Sequence, residues 1–239
     1  MQKIWQTEWF GIPFKEFAQL NPNQIAASEF YSNFYEIFYQ RYKSFNEIEK
    51  SWLTEKENVA KDLFSMIQKN NVHSVISIGC GIGFIENCLV KLSEEKNYPL
   101  HLTAVEPAKK STRWLSEKII FRQGFFPEVV ADLHFDLAYT SIIDYAMNDE
   151  EYVSFLSKIF NSQLKKFVSV SLTTGKHHWT AIDHLKSLIS PVYRNIRPQQ
   201  FWGYLRSIDE QIDLLTQAGF SQFEVGKHQN SNSYWITAS

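Results

Sequence analysis

The run Val-Ile-Ser-Ile-Gly-Cys-Gly-Ile-Gly-Phe-Ile-Glu, from Val75 to Glu86, constrains this chain more than any other stretch. Val75, Ile76 and Ile78 form a short apolar run, as in a strand buried on both faces. Gly79, Gly81 and Gly83 follow at alternate positions, and Ile85, Cys88, Leu89 and Leu92 then recur at helical spacing. The sequence therefore predicts a strand, a loop of bare backbone and a helix that begins close to Gly83. Glycine permits positive φ and puts no Cβ in front of a ligand. The unpaired N–H groups and the helix dipole there favour an anionic group.

Spacing separates the cofactors that such a loop could hold. A dinucleotide fingerprint reads G-x-G-x-x-G. Counted from Gly79 its third glycine falls on Phe84, and counted from Gly81 it falls on Glu86, so both registers fail. A second strand is expected at about 100–106, where Leu100, Leu102, Ala104 and Val105 lead into Glu106 and Pro107. An acid about twenty residues past a glycine loop is placed to take both hydroxyls of a ribose.

G-x-G-x-G closed by Glu86, with a strand-end acid at Glu106, resembles motif I of the class I S-adenosylmethionine-dependent methyltransferases. The resemblance covers about residues 70–239. It implies a Rossmann-like α/β fold with a seven-stranded, mainly parallel sheet in the order 3-2-1-4-5-7-6, the last strand antiparallel. It also implies S-adenosylmethionine as cofactor, its methionine end wrapped by Gly79, Cys80, Gly81 and Gly83 and its ribose held by Glu106 beside Pro107. In that family the end of the third strand touches the adenine, usually through an acid. Here Gln123 is the nearest polar group, and Gly124, Phe125 and Phe126 take the place of that contact. Ser141, at the end of the fourth strand, completes the expected cofactor set.

From Asn71 onward strand and helix patterns alternate, which argues for a parallel α/β sheet. Strands are expected at about 73–79, 100–106, 118–122, 134–140, 166–172 and 233–238, with one more opening after Ala218-Gly219-Phe220. Helices are expected at about 83–96, 108–116, 148–163 and 207–218. Ahead of them lies an aromatic-rich helical cap, residues 1–70, in front of a methyltransferase domain at 71–239. Asn23 is the expected N-cap of a first helix reaching Lys43. Ser44 or Asn46 caps a second one ending near Lys69. In the first, Phe30, Phe34 and Phe38 form one stripe and Tyr31, Tyr35 and Tyr39 the next, apolar along the ring and polar at the tip.

Residues 173–206 are too long for a simple connection and too aromatic for disorder, so they read as a substrate insert or lid, with the subunit interface of a homodimer as the other use of such a surface. Arg194, Arg197 and Arg206 suggest an anionic acceptor and Trp202 a ring to cover a sugar-like one. Tyr35 and Tyr145 join them as acceptor contacts. A hydroxyl acceptor benefits from a base, for which Asp144, His177 and His178 are the candidates.

The 239 residues carry 24 Lys plus Arg against 26 Asp plus Glu, a formal charge of −2 that gives no field for nucleic acid. Two cysteines, Cys80 and Cys88, make no metal-ligand set, and no metal is expected. Neither a signal core nor a membrane span is evident, so a cytoplasmic protein is expected. The expected activity is small-molecule methyl transfer, with O-methylation ahead of N-methylation. A protein methyltransferase and a non-catalytic cofactor-binding scaffold are the other readings.

Overall fold

The apolar run before the glycines pairs in parallel with the apolar run that ends at Glu106. A computed structural model of the chain describes residues 1–162, 166–172, 199–228 and 233–239. Its strands are β1 (Gln2–Gln6), β2 (Glu8–Trp9), β3 (Ile12–Pro13), β4 (Ser74–Ile78), β5 (His101–Glu106), β6 (Ile120–Gln123), β7 (Leu137–Ser141), β8 (Lys166–Leu172), β9 (Gln200–Leu205), β10 (Phe223–Lys227) and β11 (Ser233–Ala238). Its helices are α1 (Ser28–Arg41), α2 (Lys50–Lys69), α3 (Phe84–Glu95), α4 (Asp149–Asn161) and, after β9, α5 (Ile208–Gln217).

Seven strands form one sheet in the order β10-β11-β8-β7-β4-β5-β6. β4 pairs in parallel with β5 and β7, and β11 lies antiparallel to both β8 and β10. Counted within the sheet, this is the expected 3-2-1-4-5-7-6. Alternate residues of each strand feed opposite cores. Val75, Leu102, Leu137 and Tyr139 meet Leu63 and Ile67 of α2 and Leu89 of α3 on one face. Ile76, Val105, Phe167 and Ile236 meet Leu156 and Ile159 of α4 and Leu215 of α5 on the other. Each fully buried side chain of this kind contributes about 1.5–3 kcal/mol. α4 and α5 both begin with a capping box, Asn148 with Glu151 and Ser207 with Glu210.

A third, aromatic core lies beyond the strand ends, where Phe34, Tyr35 and Phe38 of α1 pack on Ile82, Ala108 and Trp114. β1 pairs antiparallel with β9 here, Gln2 opposite Leu205 and Gln6 opposite Gln200. Residues 200–205 of the expected insert form a strand, and 173–198 lie outside the described residues. α2 belongs to the helical layer on the sheet, and the layer over the strand ends is α1 with β1 and β9.

Three local expectations change. Asn23 does not cap α1. Asn21 makes the side-chain turn instead, its Oδ1 accepting from the N–H of Asn23 and Gln24, and α1 begins after Ala27 with no side-chain cap. Neither Ser44 nor Asn46 caps α2, which starts after a short 3-10 turn at Phe45–Glu47 and is preceded by Glu49. Residues 108–116 form turns rather than a helix, because partners outside the segment hold it. Tyr39 donates its hydroxyl to the Ser111 carbonyl, and Asn87 grips the Trp114 carbonyl and the Ser116 N–H.

Candidate active site at the carboxyl ends of the strands

The glycine loop leaves β4 in three left-handed steps, with φ of 79° at Gly79, 56° at Gly81 and 76° at Gly83. Space as well as φ demands glycine at the first and last. A Cβ on Gly79 would meet Ile143 Cγ2 at 2.6 Å, and one on Gly83 would meet Leu115 Cδ1 at 2.5 Å. The N–H groups of Gly79 and Cys80 both donate to the Val105 carbonyl, so the loop is tied to the neighbouring strand.

Glu106 ends that strand and holds the loop. One carboxylate oxygen accepts the Gly81 N–H at 3.0 Å, and the other accepts the Ala108 N–H at 2.9 Å. Each oxygen keeps a second lone pair, so the carboxylate can accept two more donors, as a ribose offers. Burial lifts its pKa above the usual carboxylate range, while the two N–H groups pull it down and the Glu86 charge adds to the rise. Pro107, half-buried, separates Glu106 from the Ala108 N–H that it grips. Cys80 directs its thiol towards the Gly81 carbonyl, and burial raises its pKa well above the usual thiol range.

α1 closes over this loop. Tyr35 is buried, and its hydroxyl lies 3.2 Å from where a Cβ on Gly81 would stand. Tyr31, one turn earlier, meets Tyr145 hydroxyl to hydroxyl at 3.0 Å. Burial raises the pKa of all three phenols, and the Glu106 charge adds to the rise in each. Tyr35 therefore sits against the glycine loop, whereas it was expected at the acceptor. Tyr31 was not among the expected site residues. Its signal was present in the tyrosine stripe, since Tyr31 and Tyr35 are four apart and share a helix face.

The strand-end segment after β7 supplies the opposite wall. Ser141 is half-buried at the end of β7, and Ile142 carries a φ of 55°, strained for a β-branched residue. That turn brings Ile143 against Gly79 and Tyr145 towards Tyr31. Gly203 of β9 packs where any Cβ would collide with the Tyr145 carbonyl. This close approach lays Trp202 on Tyr145, with centroids 5.5 Å apart and planes at 12°.

Four expected contacts are placed differently. Trp202 has Tyr145 stacked on one side and Phe14 stacked at 5.0 Å, so it supports Tyr145 and has no open face for an acceptor ring. Arg206 is 0% exposed, and its guanidinium donates to the carbonyls of Asp144 and Met147 and to the Asp149 carboxylate. It braces the wall and offers no fork to an anionic acceptor. Asp144 is also buried. Gln211 of α5 donates to one of its oxygens at 2.5 Å, the other has no hydrogen-bond partner, and burial raises its pKa to about 6 although Arg206 opposes the shift. The Phe126 ring is buried in the core beside Phe155, so of the two candidate adenine-stacking rings only Phe125 is free, at 63% exposed. Gly124 follows β6, and its N–H donates to the Glu106 carbonyl. His177, His178, Arg194 and Arg197 lie outside the described residues. Among the described residues no group of three or more His, Cys, Asp or Glu side chains could hold a metal ion, and no helix is long and apolar enough to cross a membrane.

No family model and no curated protein matches this sequence. Solved structures do match it in fold. A Nostoc punctiforme protein assigned as an O-methyltransferase superposes with a TM-score of 0.59 at 14% identity, over 87% of this chain and 59% of that one. Human N-acetylserotonin methyltransferase, solved with S-adenosylmethionine, gives a TM-score of 0.55 at 18% identity, over 89% and 56%. A Streptomyces davawensis dimethyltransferase of 8-amino-8-demethyl-D-riboflavin gives 0.53 at 16%, over 75% and 52%. The chain spans less than two thirds of the length of each of these structures. At these identities the likeness shows the methyltransferase fold.

Proposed function

We propose that this chain binds S-adenosylmethionine and transfers its methyl group to a small-molecule acceptor. One observation carries the reading. The strand-end acid and the glycine loop form a single fixed cradle, in which Glu106 grips Gly81 and still has lone pairs to offer. The fold shared with methyltransferases supports it, as does the failure of both dinucleotide registers at Phe84 and Glu86.

The cofactor would supply an electrophilic methyl on a sulfonium. The chain's part is to align an acceptor with it and to exclude water, which is largely positional work. Glu106 holds the ribose, Phe125 is the ring placed to cover the adenine, and Gly79, Gly81 and Gly83 let the methionine end lie on backbone. Tyr31, Tyr35 and Tyr145 enclose the loop from the other side, and Trp202 keeps Tyr145 in place. A hydroxyl acceptor is the preferred reading, with an amine the second, because the phenols can hold a hydroxyl between them as donor and acceptor. The proposed base for a hydroxyl lies among Asp144, His177 and His178, and the burial of Asp144 beneath Gln211 weighs towards the histidines.

Calorimetry tests the cofactor. S-adenosylhomocysteine should bind and NAD should not, and Glu106→Gln should weaken the nucleoside roughly tenfold or more while the protein stays folded. Tight NAD binding without a response to S-adenosylhomocysteine refutes the reading.

A further inference from the structure

Glu86 is the third residue of α3, directly after the glycine loop, and it is 2% exposed. Its Oε1 accepts two hydroxyls, from Ser77 of β4 at 2.5 Å and from Tyr139 of β7 at 2.6 Å. Its Oε2 has no hydrogen-bond partner. A buried carboxylate oxygen left in that state is costly, and such an atom in a folded protein calls for an explanation. Three other buried side-chain atoms among the described residues share it, on Asp144, Gln211 and His228. Asp144 and Gln211 belong to the Arg206 brace, and His228 pairs its other nitrogen with Asp62 of α2. Glu86 alone is fixed to the strand that enters the glycine loop and to the helix that leaves it.

Its charge is felt on both sides of the loop. After burial, the Glu86 charge is the next cause of the raised Cys80 thiol, and it also contributes to the rise at Glu106. Glu106 and Glu86 thus flank the loop, one at the end of β5 and one at the start of α3. If Glu106 takes the ribose, what extends from the ribose along the loop runs towards Glu86. That end of S-adenosylmethionine is an amino acid, with a carboxylate suited to helix N–H groups and an ammonium that needs an acceptor.

Resting on the cofactor reading above, we infer that Glu86 is the counter-charge for the cofactor's α-ammonium, presented through Oε2 while Ser77 and Tyr139 fix Oε1. Two donors on one oxygen orient the carboxylate and leave the other oxygen for the ligand. Burial raises the pKa of Glu86 before any cation arrives, with the Ser77 and Tyr139 hydrogen bonds opposing the rise. An arriving ammonium stabilises the ionised form. The nearby titratable groups are Cys80, Glu106 and Tyr139.

The test compares two nucleosides on wild-type protein and Glu86→Gln. S-adenosylhomocysteine carries the amino acid end, and 5′-methylthioadenosine lacks it. Gln keeps a carbonyl for Ser77 and Tyr139 and removes the charge. The variant should lose roughly ten- to a hundredfold in affinity for S-adenosylhomocysteine and bind 5′-methylthioadenosine as wild type does. Equal loss for both ligands, or no loss for either, overturns the inference. If the variant does not fold, the wild type decides by comparing S-adenosylhomocysteine with its analogue lacking the α-amino group. The analogue should bind at least about tenfold more weakly, and equal binding overturns the inference. Failure of the wild type to bind any of these nucleosides overturns the cofactor reading itself, which is a different result from a loss of discrimination.

Discussion

Replacing Asp144 by Asn should change how stability depends on pH. The Asp144 carboxyl is buried with one oxygen on Gln211, and burial raises its pKa from 3.8 to about 6 against the pull of Arg206. The folded state therefore holds this proton more tightly than the unfolded chain does. Between those two values the native protein binds more protons, so stability falls as pH rises through the window. A shift of about two units at 1.36 kcal/mol each amounts to roughly 3 kcal/mol, absent below the unfolded pKa and complete above the folded one. About 2 kcal/mol of it should appear between about pH 4.5 and 8. Asn carries no charge and can still accept from Gln211, so the variant lacks this component. Urea unfolding of both proteins across that range gives the difference directly. Other raised carboxyls, Glu86 and Glu106 among them, are common to both proteins and cancel. The variant should gain on wild type steadily as pH rises. Parallel curves would show that Asp144 is not held in the low-dielectric setting described for it.

Other substitutions test the remaining parts of the site. Arg206→Met strands the carbonyls of Asp144 and Met147 and should cost about 3–5 kcal/mol in denaturant unfolding, with Arg206→Lys recovering only part because it lacks the fork. Gly79→Ala must both hold a left-handed φ and meet Ile143, so nucleoside affinity by calorimetry should fall, and adding Ile143→Ala should restore some of it. Trp202→Ala removes the support of Tyr145 and leaves a cavity beside Phe14. It should destabilise by about 3–5 kcal/mol and raise the acceptor KM more than it changes S-adenosylhomocysteine binding.

Most of the nucleotide half of the fold was legible in the sequence because its information is local. The β4 run, three glycines and the α3 stripe are contiguous, and Glu106 ends the next apolar run. The parts that were not legible depend on distant partners. Gln2–Gln6 was not expected as a strand, because its ladder partner is about two hundred residues away, at Gln200–Leu205. Residues 108–116 carry helix formers, but Tyr39 and Asn87 take backbone groups that a helix would have paired internally. Arg206 reads in sequence as a ligand-binding arginine because Arg is seldom buried unless paired. Nothing in its neighbours announces the two carbonyls and the Asp149 carboxylate that pair it. Phe125 and Phe126 are adjacent and alike in sequence, and only packing against Phe155 decides which one is exposed.

The same division separates the two ends of the site. The cradle proposed for the nucleoside is built from β4, β5 and the loop between β4 and α3, all within residues 74–106. The walls over it have four sources far apart in the chain: Tyr31 and Tyr35 from α1, Tyr145 from the turn after β7, Trp202 from β9, and Phe14 from the segment after β3. Each holds another in place. Gly203 lets β9 approach the Tyr145 carbonyl, and β1 pairs with β9. A change at any of these positions can reshape the space above the loop without touching Gly81 or Glu106. If the proposed activity holds, acceptor choice can vary while the cradle stays constant. On the proposed function, the cofactor cradle is therefore legible within residues 74–106, while the acceptor wall is left to tertiary packing.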